Sequence, residues 1–180
     1  MIETARLALR NYRDDERGRF ADLNADPMVG QWLGGTMTRE ASDAAFDTRR
    51  LEIDRDGFGL WAAALKADDT MIGSVGLRRL PIAWDHPMRG EVEVGWRLFP
   101  SVWGAGYASE AAAACLAFGF SQLGLSRIVS FTADTNAPSE AVMRRIGMTR
   151  DPTRDFDHPA LAAGHPLRRH IVYSARRPEL

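Results

Sequence analysis

Apolar and polar positions alternate with a period of two in several separate stretches of the chain. ARLALRNY (5–12) predicts an opening strand. GFGLWAAALK (57–66) and TMIGSVGLRRL (70–80) flank the turn-forming ADD and predict a hairpin. EVEVGWRLF (91–99) predicts a further strand, and Gly95 inside it predicts a bulge or a close backbone approach. SRIVSFTA (126–133) and HIVYSA (170–175) complete the set. Between them the period lengthens. Asp14 to Asn24 predicts a helix with Phe20 and Leu23 inward, and 26–35 predicts a short one with Pro27 near its start. Thr38 caps a helix running to about Arg55. The alanine-rich run behind Gly106 predicts a helix to about Leu123. NAPSEAVMRRIG (136–147) predicts another, with Asn136 or a neighbour as its cap and Gly147 ending it. Residues 81–90 and the proline-rich stretch after Met148 predict loops. Strands alternating with helices, with antiparallel hairpins early, define a mixed α/β domain spanning 1–180.

Composition narrows the class. At 180 residues, with 45% hydrophobic and 26% charged positions, the chain fits one ordinary globular domain. A net charge of -1 gives no global field toward nucleic acid or an anionic membrane, and neither is an expected partner. The longest weakly charged stretch, 111–122, is too short to span a bilayer. The lone Cys115 excludes an intrachain disulfide framework and fits a reducing cytoplasm. His158, His165 and His170 are spaced by seven and five, which is not zinc spacing, so no metal is expected.

The chemistry concentrates in SVWGAGYASEA (101–111). The first N–H groups of a helix lack intrahelical partners and carry the positive end of its dipole. Gly104, Ala105, Gly106 and Ala108 keep side chains clear of them, which makes a place for phosphate. The alternative is a plain strand-to-helix turn. No Gly-Lys-Ser/Thr follows, and position 109 is serine, so neither a Walker A loop nor a dinucleotide GxGxxG is present.

EVGWRLFPSVWGAGYASEA (93–111) followed by NAPSEAVMRRIGM (136–148) resembles the GCN5-related N-acetyltransferases, most closely the branch of ribosomal-protein-alanine N-acetyltransferases. The opening ETARLALRNYRDDE and the segment DPMVGQWL share the likeness. The resemblance implies a mostly antiparallel central sheet with splayed central strands, flanked by helices. It implies an enzyme that passes the acetyl group of acetyl-coenzyme A directly to a primary amine, of a protein N-terminus or of a small molecule. The pyrophosphate would lie on the backbone of Trp103, Gly104, Ala105, Gly106, Tyr107, Ala108 and Ser109. Trp96, Arg97 and Leu98 would line the pantetheine arm, and Arg97 or Leu98 would offer an N–H to the thioester carbonyl. Asn136 would contact the arm, Arg144 would reach the phosphates, and Ser139 would donate to the leaving thiolate. Glu93 matches the family's strand glutamate and is the first choice of base, with Glu91 second. The alternative is that one or both are merely solvated or paired with an arginine such as Arg97 or Arg78. Many members of the family dimerise, which leaves a homodimer open.

Two positions depart from the family pattern. Ser101 stands where an arginine or glutamine is common, and Met143 stands where many members carry a tyrosine acid. Methionine has no proton to give. These departures motivate the alternative of an acyl-coenzyme A binding or sensing domain without turnover. The acceptor would be chosen by loops at about 26–40, 81–90 and 151–169, with Trp32, Trp84 or Phe156 as pocket walls.

Overall fold

The computed structural model describes residues 1–83 and 85–178; Trp84 falls outside them. The strands are β1 (Ile2–Glu3), β2 (Leu7–Arg10), β3 (Leu60–Leu65), β4 (Met71–Arg79), β5 (Val92–Leu98), β6 (Arg127–Ala133), β7 (Thr149–Arg150), β8 (Phe156–Asp157) and β9 (Arg169–Arg176). The helices are α1 (Arg17–Ala25), α2 (Pro27–Gly30), α3 (Arg39–Asp56), α4 (Tyr107–Ser121) and α5 (Ala137–Arg145). They build one mixed sheet in the order β1-β2-β3-β4-β5-β6-β9-β7, with β8 also on β9. Every registered pair is antiparallel except β5 with β6.

Local chemistry sets the helix ends. Thr38 Oγ1 accepts from the Ala41 N–H at 3.2 Å, and α3 stops at Gly57, whose φ is +73°. Asp26 caps α2 by accepting from Met28 and Val29, with Pro27 in its first turn. On one face of the sheet lies α4. A Cβ on Gly119 would come within 2.6 Å of Ile128 and 3.1 Å of Leu77, so glycine is what lets α4 settle on β4 and β6. On the other face α1 and α3 pack through Tyr12, Phe20 and Phe46, whose ring centroids lie 5.3–5.5 Å apart.

Several expectations need correction. The opening strand expected over 5–12 is shorter, β2 covering Leu7–Arg10, and an unexpected β1 before it pairs with β2 as a small hairpin. The first turn of the 14–24 helix is a tight turn at Asp14–Glu16. The tail after Met148 is not all loop, since β7 and β8 both pair with β9. Such two-residue strands are held by their neighbours and leave no periodic signal. Gly95 makes no bulge: β4 and β5 stay in continuous register, with Gly95 opposite Gly76. The register shift lies one strand over, at Ala63/Ala64. The close approach belongs to Gly76, where a Cβ would sit 1.9 Å from the Gly59 carbonyl.

Candidate active site

The parallel pair β5–β6 is registered at one position, Glu93 with Val129. Beyond it β5 continues to Leu98 along β4 and β6 to Ala133 along β9, with no further registered pair between β5 and β6 among the described residues. The two strands open into a V. The turn into α4 follows the β5 arm, and the start of α5 follows the β6 arm.

Strand parity assigns the backbone groups. Phe99 N–H donates to Ile72 C=O at 3.0 Å, and Glu91 C=O accepts from Leu80 N–H at 2.8 Å. Odd positions of β5 therefore address β4, and the even positions Val94, Trp96 and Leu98 address the V. This places the Leu98 N–H at the opening and turns that of Arg97 toward β4. The Leu98 carbonyl is taken by the Trp103 indole N–H at 2.8 Å. Side chains alternate likewise. Val92, Val94, Trp96 and Leu98 belong to the main core, while Glu93, Gly95 and Arg97 lie on the opposite face with Arg78, Gly76 and Ser74 beside them.

Gly104 and Gly106 both hold positive φ, +76° and +81°, and no cap side chain covers the start of α4. The first helical bond runs from Glu110 N–H to Gly106 C=O at 3.0 Å. The N–H groups of 107–109 precede it and point out of the helix end. Two arginines from distant elements flank this turn. Arg6 donates to Ala105 C=O at 3.0 Å, lies 4.2 Å over the Tyr107 ring, and is paired with Glu110 at 2.6 Å. Arg145 donates to the Ser109 hydroxyl at 3.3 Å. Arg144 goes elsewhere, to Tyr173 Oη at 3.1 Å and Glu140 at 2.6 Å. Arg145 and Arg6 were not among the residues picked from the sequence. Arg145 could have been found only by fixing the rotation of α5, which the buried Met143 sets.

Asn136 is buried and caps α5. Its Oδ1 accepts from Ser139 N–H at 3.3 Å, and its Nδ2 donates to Thr132 Oγ1 at 2.9 Å. Ser139 is half-buried in the first turn of α5. Met143 is 1% exposed in the main core, so the tyrosine place of the family pattern is filled by packing. Burial pushes the Cys115 thiol well up, which leaves it unreactive.

The two glutamates separate. Glu93 is in the strand at the point where the V closes, and accepts from Arg78 at 2.7 Å. Its Oε1 stands 3.9 Å from where a Cβ on Gly95 would be, so the carboxylate leans over Gly95. Glu91 lies outside the strand and is held by Arg127 and by Arg154 at 2.7 Å. A cleft of about 480 Å³ opens further along this face, between Pro27–Thr36 and His165–Leu167. These segments fall in two of the three expected acceptor loops. Phe156 does not line this cleft. It is 5% exposed and packs among His86, His170 and Phe131.

The turn is compatible with a coenzyme A pyrophosphate: a Cβ position on Gly104 faces open space and that on Gly106 faces the Arg6 guanidinium at 3.5 Å, the first N–H groups of α4 are free of intrahelical partners, and Arg145 stands at the edge. Residues 6–149 match the family model described as an acetyltransferase (GNAT) domain, and the chain belongs to that family of acyltransferases. Among curated relatives it is 28% identical over 150 residues to the uncharacterized N-acetyltransferase YnaD of Bacillus subtilis, covering 83% of each chain. It is 30% identical over 188 residues to the FsC-acetyl coenzyme A-N(2)-transacetylase of Aspergillus fumigatus, covering 99% of this chain and 77% of that one. A solved GNAT-family acetyltransferase from Bacillus anthracis superposes with a TM-score of 0.80 at 24% identity, over 99% of both chains.

Proposed function

We propose that this chain transfers an acetyl group from acetyl-coenzyme A to a primary amine, of a small molecule or of a peptide N-terminus. The observation that carries the reading is the V between β5 and β6, with the bare helix turn at its wide end and Glu93 where it closes. The cofactor supplies an activated acetyl thioester and leaves as a thiol. The residues of the chain do the rest. Backbone N–H groups of 107–109, with Arg145, hold the phosphates. The even-numbered backbone groups of β5 pair with the arm, and the Leu98 N–H is the donor offered to the thioester carbonyl.

The acceptor must lose a proton. An α-amine has a pKa of roughly 7.7–8.0 and a lysine-type amine about 10.4, so both are mostly protonated at neutral pH. Glu93 is placed to take that proton, directly or through water. Arg78 fixes the carboxylate in position while leaving one oxygen over Gly95. Glu91, held by two arginines away from the V, is the weaker choice. Ser139 at the start of α5 is the donor proposed for the departing thiolate. A free thiol has a pKa near ~8.5, so a weak donor is enough, and the loss of a tyrosine at Met143 is compatible with turnover.

The test is calorimetry with acetyl-coenzyme A, followed by release of free thiol against a panel of amines and N-terminal peptides. Micromolar binding with thiol release supports transfer. Binding with no release on a broad panel would favour a sensing domain, and no binding would remove the phosphate role of the turn.

A further inference from the structure

On the Glu93 face of the sheet, two arginines lie about Ser74 with no carboxylate among their hydrogen-bond partners. Ser74 on β4 is 1% exposed and is the cross-strand partner of Arg97 on β5. Cross-strand partners hold their Cβ atoms within about 5.5 Å, so Arg97 leaves the sheet beside Ser74. Arg49, from α3, donates to the same Ser74 hydroxyl at 3.1 Å, and its guanidinium lies 5.0 Å over the Phe20 ring. Arg97 donates to Asn24 Oδ1, and Asn24 is 3% exposed. Both arginines are half-buried, and all of these partners are neutral. Among the described residues neither forms an ion pair, whereas Arg78, Arg127 and Arg154 on the same face each have a glutamate. Burial, and then the charge of Arg49, lowers the Arg97 pKa to about 10.

Two like charges taken partly out of water and set beside each other destabilise a fold. An anionic ligand reverses that balance, and a guanidinium fork matches a carboxylate. Neither arginine lines the open cleft itself, but the cleft wall begins beside Asn24, the residue that Arg97 holds. Asn24 C=O accepts from Met37 N–H at 2.9 Å, so the loop lining the open cleft leaves α1 just after Asn24 and returns to it. Arg97 is thus anchored at the root of the cleft wall. Along β5, Arg97 is two residues from Gly95, over which the Glu93 carboxylate leans. Two strand residues span about 7 Å.

We propose that Arg97 and Arg49 receive the carboxylate of the acceptor, and that the amine acetylated here belongs to a small amino carboxylate. Glu93 takes the amine end and the arginine pair takes the acid end, a short carbon chain apart. This rests on the acetyl-transfer reading above for the amine end alone.

The experiment compares amino acids with their decarboxylated counterparts, lysine with cadaverine and phenylalanine with phenethylamine among them, in the thiol-release assay. Amino acids are expected to be preferred. In Arg97→Met the KM for the preferred amino acid rises at least about tenfold, as loss of one charge-assisted bond requires, with kcat and acetyl-coenzyme A affinity nearly unchanged. Preference for the decarboxylated amines, or an unchanged ratio in the variant, overturns the proposal. So does a loss confined to acetyl-coenzyme A affinity, which would assign the arginines to the cofactor. A second readout is independent of turnover. Sodium glutarate, against sodium chloride of equal ionic strength, should raise the melting temperature of the wild type and not of Arg97→Met or Arg49→Met. The glutarate shift, not the starting melting temperature, is the quantity compared, because each variant sheds a charge but also a hydrogen bond to buried Asn24 or Ser74. A wild type indifferent to glutarate, with variants that melt lower, would make the pair a structural element and sink the idea. Acetyl-coenzyme A binding without turnover, alongside a glutarate shift, would instead count against the transfer reading and leave the anion site standing.

Discussion

Gly106 shows how much can rest on one missing side chain. Its φ of +81° is a region where an L-residue is strained by roughly 1–2 kcal/mol, and any side chain there would crowd the N–H groups of 107–109. Gly106→Val is therefore expected to weaken acetyl-coenzyme A binding by more than about tenfold while costing about 2 kcal/mol of stability. Calorimetry beside urea unfolding separates the two, and unchanged affinity in a folded variant would remove the turn from the site. Glu93→Gln tests a different quantity. Loss of a general base should lower kcat by about a hundredfold with little change in cofactor affinity, read by thiol release across pH 6–9. An identical pH profile would exclude the role. Met143 marks a limit of reading residues singly. That it cannot act as an acid follows from its chemistry, but that it is a core residue follows only from its 1% exposure. Met143→Tyr should overpack the core, lowering stability by about 1–3 kcal/mol without raising kcat.

At the scale of elements, α3, α5 and the long strands were legible because they carry their own ends or period, whereas the start of α1, which has no side-chain cap, was placed a turn early. Thr38, Gly57, Asn136 and Gly147 all act at the ends where their chemistry puts them. What was not legible is how elements are turned and which edges they share. No bulge lies at Gly95; the register shift is at Ala63/Ala64, and the glycine that a close approach demands is Gly76, under the Gly59 carbonyl, both set by how β3 lies on β4 rather than by the β5 sequence. The likeness to the family supplied the residues of the glycine turn but not the two arginines that flank it, which come from the residue just before β2 and from α5. Rotation of α5 decides between neighbours: Arg145 reaches Ser109 and Arg144 reaches Glu140 and Tyr173. Arg145→Met is accordingly expected to raise the Kd for acetyl-coenzyme A by about tenfold, the worth of one charge-assisted hydrogen bond, and to flatten its salt dependence. Arg144→Met should leave that Kd within about twofold. The reverse order in calorimetry would show that α5 is turned the other way in solution.

Across the whole molecule, the two faces of the sheet divide the work. Core packing against α4 fixes β5 and β6, while the opposite face carries the polar groups and a second, smaller core of Leu80, Met88, Phe156 and Val172. That second core brings together three histidines far apart in sequence. His86 lies 4.4 Å from Phe156, His170 stacks on Phe156 at 5.3 Å, and His158 lies 5.0 Å from His170. His86 is 3% exposed, and its Nδ1 accepts the Met88 N–H at 3.0 Å, a bond that protonation of Nδ1 abolishes. Burial, and then the neighbouring His158, His170 and Arg78, lowers its pKa to about 4; burial also lowers those of His158 and His170. The folded state thus resists protons that the unfolded chain accepts below about pH 6.5. The stability these groups permit is fully present above pH 6.5, falls as the pH drops below it, and levels off for His86 near pH 4. Carboxylates such as Asp155, held by Arg150, and Glu140, held by the Tyr173 hydroxyl and then Arg144, have lowered values and weaken the fold only at lower pH. The interval from pH 7 to pH 5 therefore isolates the histidines. Urea midpoints should fall steadily across it. His86→Asn keeps an acceptor near the Met88 N–H and removes one titrating ring. It should be less stable than the wild type at pH 7 yet lose less on going to pH 5. Parallel slopes for the two proteins would mean that His86 charges without cost, and that the cluster is open to water in solution.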